Sequence, residues 1–168
     1  MFEHLNTPEE LFSVKLGSAL KMEQQLANVL EEFERDAQLP EIKRALSEHR
    51  EETLQHARNI EKCFQLLGEE VDGSPCPVIE AMAKDGKATV QKTDDSLVDL
   101  VILATAAESE HYEIAVYETL VTNAEARGAT EVAALLQRNL NDEKHALEFA
   151  RATMTMVAQE RIAVVAIH

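Results

Sequence analysis

Five carboxylates and two imidazoles stand where the sequence otherwise places leucine and alanine, and these are the residues able to do chemistry. At the three- and four-residue spacing of a helix face, one stripe runs Leu16, Ala19, Glu23, Leu26, Leu30. A second runs Leu46, His49, Glu52 or Thr53, His56, Ile60. The third gives Ala106, Glu110, Glu113, Tyr117, and the fourth Leu136, Asn139, Glu143, Ala146, Ala150. A single Glu on such a stripe ordinarily bends its carboxylate out to water. Four interruptions near the middles of four helices are different, because side-by-side packing brings them into one layer. Desolvating an ionised carboxylate costs roughly several kcal/mol, and like charges in one layer add repulsion. No Lys or Arg stands on the stripes at that height to compensate. Two divalent or trivalent cations would neutralise the layer and satisfy its lone pairs. Carboxylates with one or two imidazoles suit iron, with manganese or zinc as alternatives, and an all-cysteine soft site is absent.

The elements that must position these groups read as helices. Thr7-Pro8-Glu9-Glu10 has an N-cap residue, a proline at the first helical position and a glutamate three residues after the cap, opening a helix over about 8–37. Leu39-Pro40 restarts the chain almost at once, so a second helix over about 40–67 turns back antiparallel, with Gly68 as its stop. Helices over about 96–126 and 130–160 follow, separated near Gly128. Between the pairs, Gly73-Ser74-Pro75 marks a turn and a short helix is expected over about 77–88. A connection of about 28 residues can travel the roughly 45 Å height of a 30-residue helix. An up-down bundle needs no such link, whereas a ferritin-like bundle has one. The expectation is an all-α, ferritin-like four-helix bundle, a single domain over 1–168, with its long crossover between the second and third long helices. The halves also echo each other: Glu23 to Glu52 is 29 residues and Glu113 to Glu143 is 30.

Composition narrows the function classes. The chain has 168 residues, no Trp and few Gly or Pro, which fits one helical domain with a buried core. A formal charge of −15 with no basic run argues against nucleic acid, whose binders need clustered cations. Cys63 and Cys76 make neither a zinc pattern nor a secreted disulfide framework. Cys63 reads as a small buried helix residue and Cys76 as a loop thiol. No apolar run reaches membrane-spanning length, so no membrane partner and a cytoplasmic location are expected. The apolar tail from Ile162 to Ile167 is expected to pack on the bundle or on a second subunit of a homodimer.

Several motifs carry a family resemblance. His49-Arg50-Glu51-Glu52-Thr53, Glu110-His111-Tyr112-Glu113-Ile114-Ala115-Val116-Tyr117, Asn141-Asp142-Glu143-Lys144 and Met22-Glu23-Gln24-Gln25-Leu26 resemble the helix motifs of the YciF-type ferritin-like stress proteins. The segment from Cys76 to Met82 is similar to that family's crossover, and the likeness spans about residues 7–150. It departs from the family pattern at His56, Asp142 and His145. The resemblance implies a rubrerythrin-like di-metal site with Glu23, His49, Glu52, Glu110, Glu113 and Glu143 as ligands.

Glu52 and Glu143 are the candidate bridging carboxylates, Glu23 and Glu110 the terminal ones, and Glu113 a ligand able to shift. His49 and His56 are the candidate nitrogen ligands, each with the alternative of a hydrogen bond to a carboxylate. His145, three residues after Asp142, falls toward the edge of its stripe, and His111 lies off its stripe. Tyr117 reads as core or as a hydrogen bond to a ligand. Two functions of different class follow. One is a di-iron protein of stress defence that reacts with O2 or peroxide, or oxidises Fe(II), with an external redox donor because no rubredoxin-like module is present. The other is a non-catalytic metal-binding or partner-binding oligomeric bundle.

Overall fold

The computed structural model describes residues 4–165, and among them the chain forms five α-helices. These are α1 (Pro8–Asp36), α2 (Pro40–Leu67), α3 (Pro77–Gln91), α4 (Val98–Ala126) and α5 (Thr130–Val165), with a single 3-10 turn at Asp95–Leu97 before α4. The start of α1 is fixed by a reciprocal box: Glu10 N–H donates to Thr7 Oγ1 at 3.1 Å, and Thr7 N–H donates to the Glu10 carboxylate at 3.2 Å. Gly68 and Gly128 end α2 and α4 with φ of 70° and 72°, the left-handed conformation that glycine adopts without strain.

α1 pairs with α2 and α4 with α5 along their lengths, while α2–α5 and α1–α4 contacts close the four long helices into one bundle. The residues from Glu69 to Asp94 make the crossover, and α3 within it packs on α1 and α4. Two close approaches seat that crossover. A Cβ on Gly17 would lie 2.6 Å from Asp72 Oδ1 and 2.8 Å from the Asp72 carbonyl oxygen, so only glycine lets the loop lie on α1. A Cβ on Gly86 would lie 2.7 Å from Thr105 Cγ2, so α3 approaches α4 just as tightly.

Two apolar clusters fill the bundle on either side of its middle. One gathers Leu16, Leu20, Ile60, Phe64, Leu120 and Leu136. The other gathers Leu30, Phe33, Ile42, Leu46, Ile102 and Val157. Asp99 locks the outer end of the second cluster: it is buried and accepts from the backbone N–H of Gln38 at 2.7 Å and Leu39 at 3.1 Å. The α1–α2 turn is thereby tied to α4.

Two local expectations change. α5 continues to Val165, past the expected end near 160, and Ile162 on it is 69 % exposed, so it does not pack on its own bundle. The rest of that tail beyond Val165 lies outside the described residues. Cys76 lies in the loop just before α3, as expected of a loop thiol, and is buried there, with Sγ 3.6 Å from the Tyr112 hydroxyl. Cys63 is buried as its stripe implied, and burial pushes its thiol up to about 12.

Candidate metal centre

Between the two apolar clusters lies a polar layer built by all four long helices. α1 contributes Glu23, α2 His56 and His49, α4 Glu110 and Glu113, and α5 Glu143. All four of these carboxylates are buried, as is His56, while His49 is half-buried. Among the described residues, their ion-pair partners are imidazoles and never Lys or Arg.

The donor atoms fall into two triads, each within 4.8 Å: Glu23, His56 and Glu143 in one, His49, Glu110 and Glu143 in the other. Glu143 belongs to both. His56 Nδ1 lies 2.8 Å from Glu143 Oε1 and 3.7 Å from Glu23 Oε2, and His49 Nε2 lies 3.0 Å from Glu110 Oε1. Despite these distances, Glu23 Oε2, His56 Nδ1, Glu110 Oε2, Glu113 Oε2 and both oxygens of Glu143 lack a hydrogen bond. Buried polar atoms are rarely left so. Lone pairs that converge without a shared proton line are what a cation satisfies, so the donor set fits two hard or borderline metal ions.

Glu52 departs from expectation. Its side chain is 56 % exposed, and the inward position is taken by the neighbouring Thr53, whose hydroxyl donates to the His49 carbonyl at 2.9 Å. One residue along a helix is a rotation of about 100°; the face running His49, Thr53, His56, Ile60 points inward and Glu52 points off it. The buried layer therefore holds four carboxylates rather than five. Glu52 instead stands outside His49, with Oε2 3.5 Å from Nδ1. Asp142, 40 % exposed, takes the matching place outside His56, with Oδ2 3.3 Å from Nε2. Each imidazole thus faces the buried carboxylates with one nitrogen and an outer carboxylate with the other, the arrangement that fixes a ligating ring. His145 and His111 are both exposed, and His111 pairs with Arg151 at 3.0 Å.

Below the first triad a polar network continues. The Tyr117 hydroxyl donates to Glu23, Asn139 Nδ2 donates to the Tyr117 oxygen at 3.0 Å, and Asn59 Nδ2 donates to Asn139 Oδ1 at 2.7 Å. Sequence reasoning singled out Tyr117 and Asn139 but missed Asn59. Its signal was its place three residues after His56 on the same stripe.

The electrostatics of the metal-free layer follow from burial. Desolvation pushes Glu143 up to about 8, with the nearby His56 imidazole opposing and the Glu23 charge adding. Glu113 is raised well above the carboxylate range, first by burial and then by the charges of Glu143 and Glu110. Burial alone would lower His56, yet Glu143 and Glu23 outweigh it and carry the ring to about 11. His49 behaves likewise: burial lowers it, and Glu110 and Glu52 together hold it well above its ordinary value. Without metal, then, burial and mutual repulsion favour protons on Glu113 and Glu143, and the carboxylates favour them on the two imidazoles.

Four long helices with a crossover helix between the pairs and a carboxylate–imidazole layer at mid-height define an all-α, ferritin-like protein. The chain belongs to the family described as Domain of unknown function (DUF892), whose model matches residues 7–163. It is 31 % identical over 146 residues to Protein YciF of Escherichia coli (strain K12), covering 84 % of this chain and 86 % of that one. The solved structure of the E. coli stress protein YciF matches at a TM-score of 0.87 and 25 % identity, over 92 % of this chain and 99 % of the other. YcfI of Rhodopseudomonas palustris matches at 0.86 and 31 %, over 90 % and 97 %. A protein of Xanthomonas campestris pv. campestris, 23 % identical with a TM-score of 0.75 over 94 % and 97 %, shares the fold. Among the described residues no helix is long and apolar enough to cross a membrane.

Proposed function

We propose that this protein is a di-iron protein of stress defence that reacts with O2 or peroxide, or oxidises Fe(II), at the layer shared by the four long helices. The observation that carries this reading is that two donor triads meet in one residue, Glu143, whose two carboxylate oxygens both lack a hydrogen bond. A pair of iron ions held there would supply electron exchange with an oxidant and Lewis acidity. The chain's own residues divide the remaining work. Glu23 and His56 would hold one ion, Glu110 and His49 the other, and Glu143 would bridge. Glu113, buried beside them with a free oxygen, is a ligand able to shift. Tyr117 fixes Glu23 by its hydrogen bond, and Asp142 and Glu52 hold the outer nitrogens of the two rings. Manganese or zinc is the alternative metal. In the same reading the protein acts as a cytoplasmic homodimer and takes electrons from an external donor, since its two cysteines form no electron-transfer module.

Metal analysis of the protein purified without chelator tests this, beside the double variant Glu110→Ala/Glu143→Ala. Two iron ions per chain, lost in the variant, with an absorption change on adding peroxide, would support the proposal. Bound metal that is inert to peroxide and dioxygen would favour a bundle braced by metal but not catalytic. A chain that binds no metal and melts at the same temperature with and without chelator would sink both.

A further inference from the structure

The two triads are enclosed differently. His49 and Glu110 of the second line a cavity of about 230 Å³ that opens between α2 and α5, whereas Glu23 and His56 of the first do not reach it. Its wall is apolar, formed by Leu46, Ile102, Leu103 and Ala150, with the exposed Phe149 beside them. Ala146, three residues after Glu143, also lines it. In the Glu-x-x-His arrangement of di-metal bundles that position would carry an imidazole, so the cavity fills room that a further ligand would take. At its inner end the buried Glu110 keeps Oε2 without a hydrogen-bond partner. Glu48 and Glu52 stand exposed at the mouth, with the exposed His145 across from them on α5, so carboxylates outnumber the one imidazole there.

We propose that this cavity binds a neutral organic molecule with a compact apolar body and one terminal oxygen, the body against Leu46, Ile102 and Leu103 and the oxygen toward His49 and Glu110. Apolar walls with a few convergent polar groups at one end are the ordinary anatomy of a small-molecule site. An anion is disfavoured by the acidic mouth, and a cation by the loss of its hydration among aliphatic side chains. A dry cavity of about 150 Å³ takes up benzene, so this larger one suits a monosubstituted benzene or a chain of roughly six to eight carbons. The proposal rests on the metal-centre reading for what happens at its inner end; the walls hold the apolar body with or without metal.

The test uses the full chain, metal-free and loaded with redox-inert Zn(II), titrated with benzyl alcohol and, for comparison, benzoate. Saturable binding of one benzyl alcohol per chain is expected, with amide shifts clustered at Ile102, Ala146 and Ala150. Benzoate should bind the metal-free chain at least about tenfold more weakly. Ala150→Leu should weaken benzyl alcohol by about tenfold or more, about 1.4 kcal/mol, with zinc stoichiometry unchanged. Should that variant fail to fold, the shift map of the parent chain decides. Non-saturating titration, shifts that map elsewhere, or an unaltered affinity in folded Ala150→Leu would overturn the proposal. If zinc fails to bind while benzyl alcohol still saturates at the cavity, the pocket stands and the metal reading falls; two bound zinc ions with no alcohol binding give the reverse.

Discussion

Replacing Glu143 with glutamine should make the protein more stable without metal and less stable with it. In the metal-free fold Glu143 keeps its proton up to about pH 8, against an ordinary value of 4.5. Because the folded value lies above the unfolded one, this group's contribution to folding is full below pH 4.5 and is lost as the pH rises toward 8. At pH 7 holding that proton costs on the order of 3 kcal/mol relative to the unfolded chain. Glutamine has nearly the shape of the protonated acid and carries no such cost. The metal-free Glu143→Gln variant should therefore gain up to about 3 kcal/mol at pH 7, less whatever the His56 pairing contributed, and little at pH 4.5. For a chain of this size each kcal/mol moves the melting temperature by roughly 2–4 °C. Metal works the other way: with free metal at about a hundred times its dissociation constant, the parent gains about 2.7 kcal/mol per site. The variant loses the carboxylate common to both triads, so both increments shrink. Calorimetric melts at pH 5 and 7.5, in chelator and in excess Zn(II), read the two effects directly. A variant that ranks the same way against the parent in both conditions at pH 7.5, or keeps an undiminished metal increment, would refute this account of Glu143.

Other consequences follow from the same layer. Metal must displace the protons on His56, His49, Glu113 and Glu143, so affinity should rise steeply from pH 6 to 8 with measurable proton release; titrations in buffers of different ionisation enthalpy would show it, and a pH-independent affinity would contradict it. Asp142→Asn and Glu52→Gln should each weaken metal binding by about 10- to 100-fold while leaving two ions per chain, as competition against a chelator can measure. His56→Ala should destabilise the metal-free chain by about 3–5 kcal/mol, since it strands buried carboxylates. His49→Ala, at the half-buried end, should cost less in the same denaturant titration. Tyr117→Phe removes the donor to Glu23 and the partner of Asn139, for a loss of about 1–3 kcal/mol in denaturant unfolding.

The helices were legible because local chemistry and global packing agree: a capping box begins α1, left-handed glycines end α2 and α4, and apolar spacing supplies the stripes. Glu23, Glu110, Glu113 and Glu143 could be located because each replaces a core residue in an unambiguous series. Glu52 could not, since Glu52 and Thr53 both fit the spacing and only packing against α1 and α5 sets the rotation of α2. The role of Asp142 and the whole of Asp99 escaped the sequence for another reason. Each acts across the bundle, on His56 and on the α1–α2 turn, and nothing in the local pattern of α5 or α4 announces such a partner. The burial of Cys76 likewise depends on where the crossover lands.

The position of α3 makes traffic to the polar layer one-sided. By lying on α1 and α4 it shields that flank, and the cavity beside His49 opens on the opposite one, between α2 and α5. A second subunit docked over α3 would leave the entrance free in every copy. One docked over α2 and α5 would plug it, so that assembly itself would govern exchange between the interior and solvent.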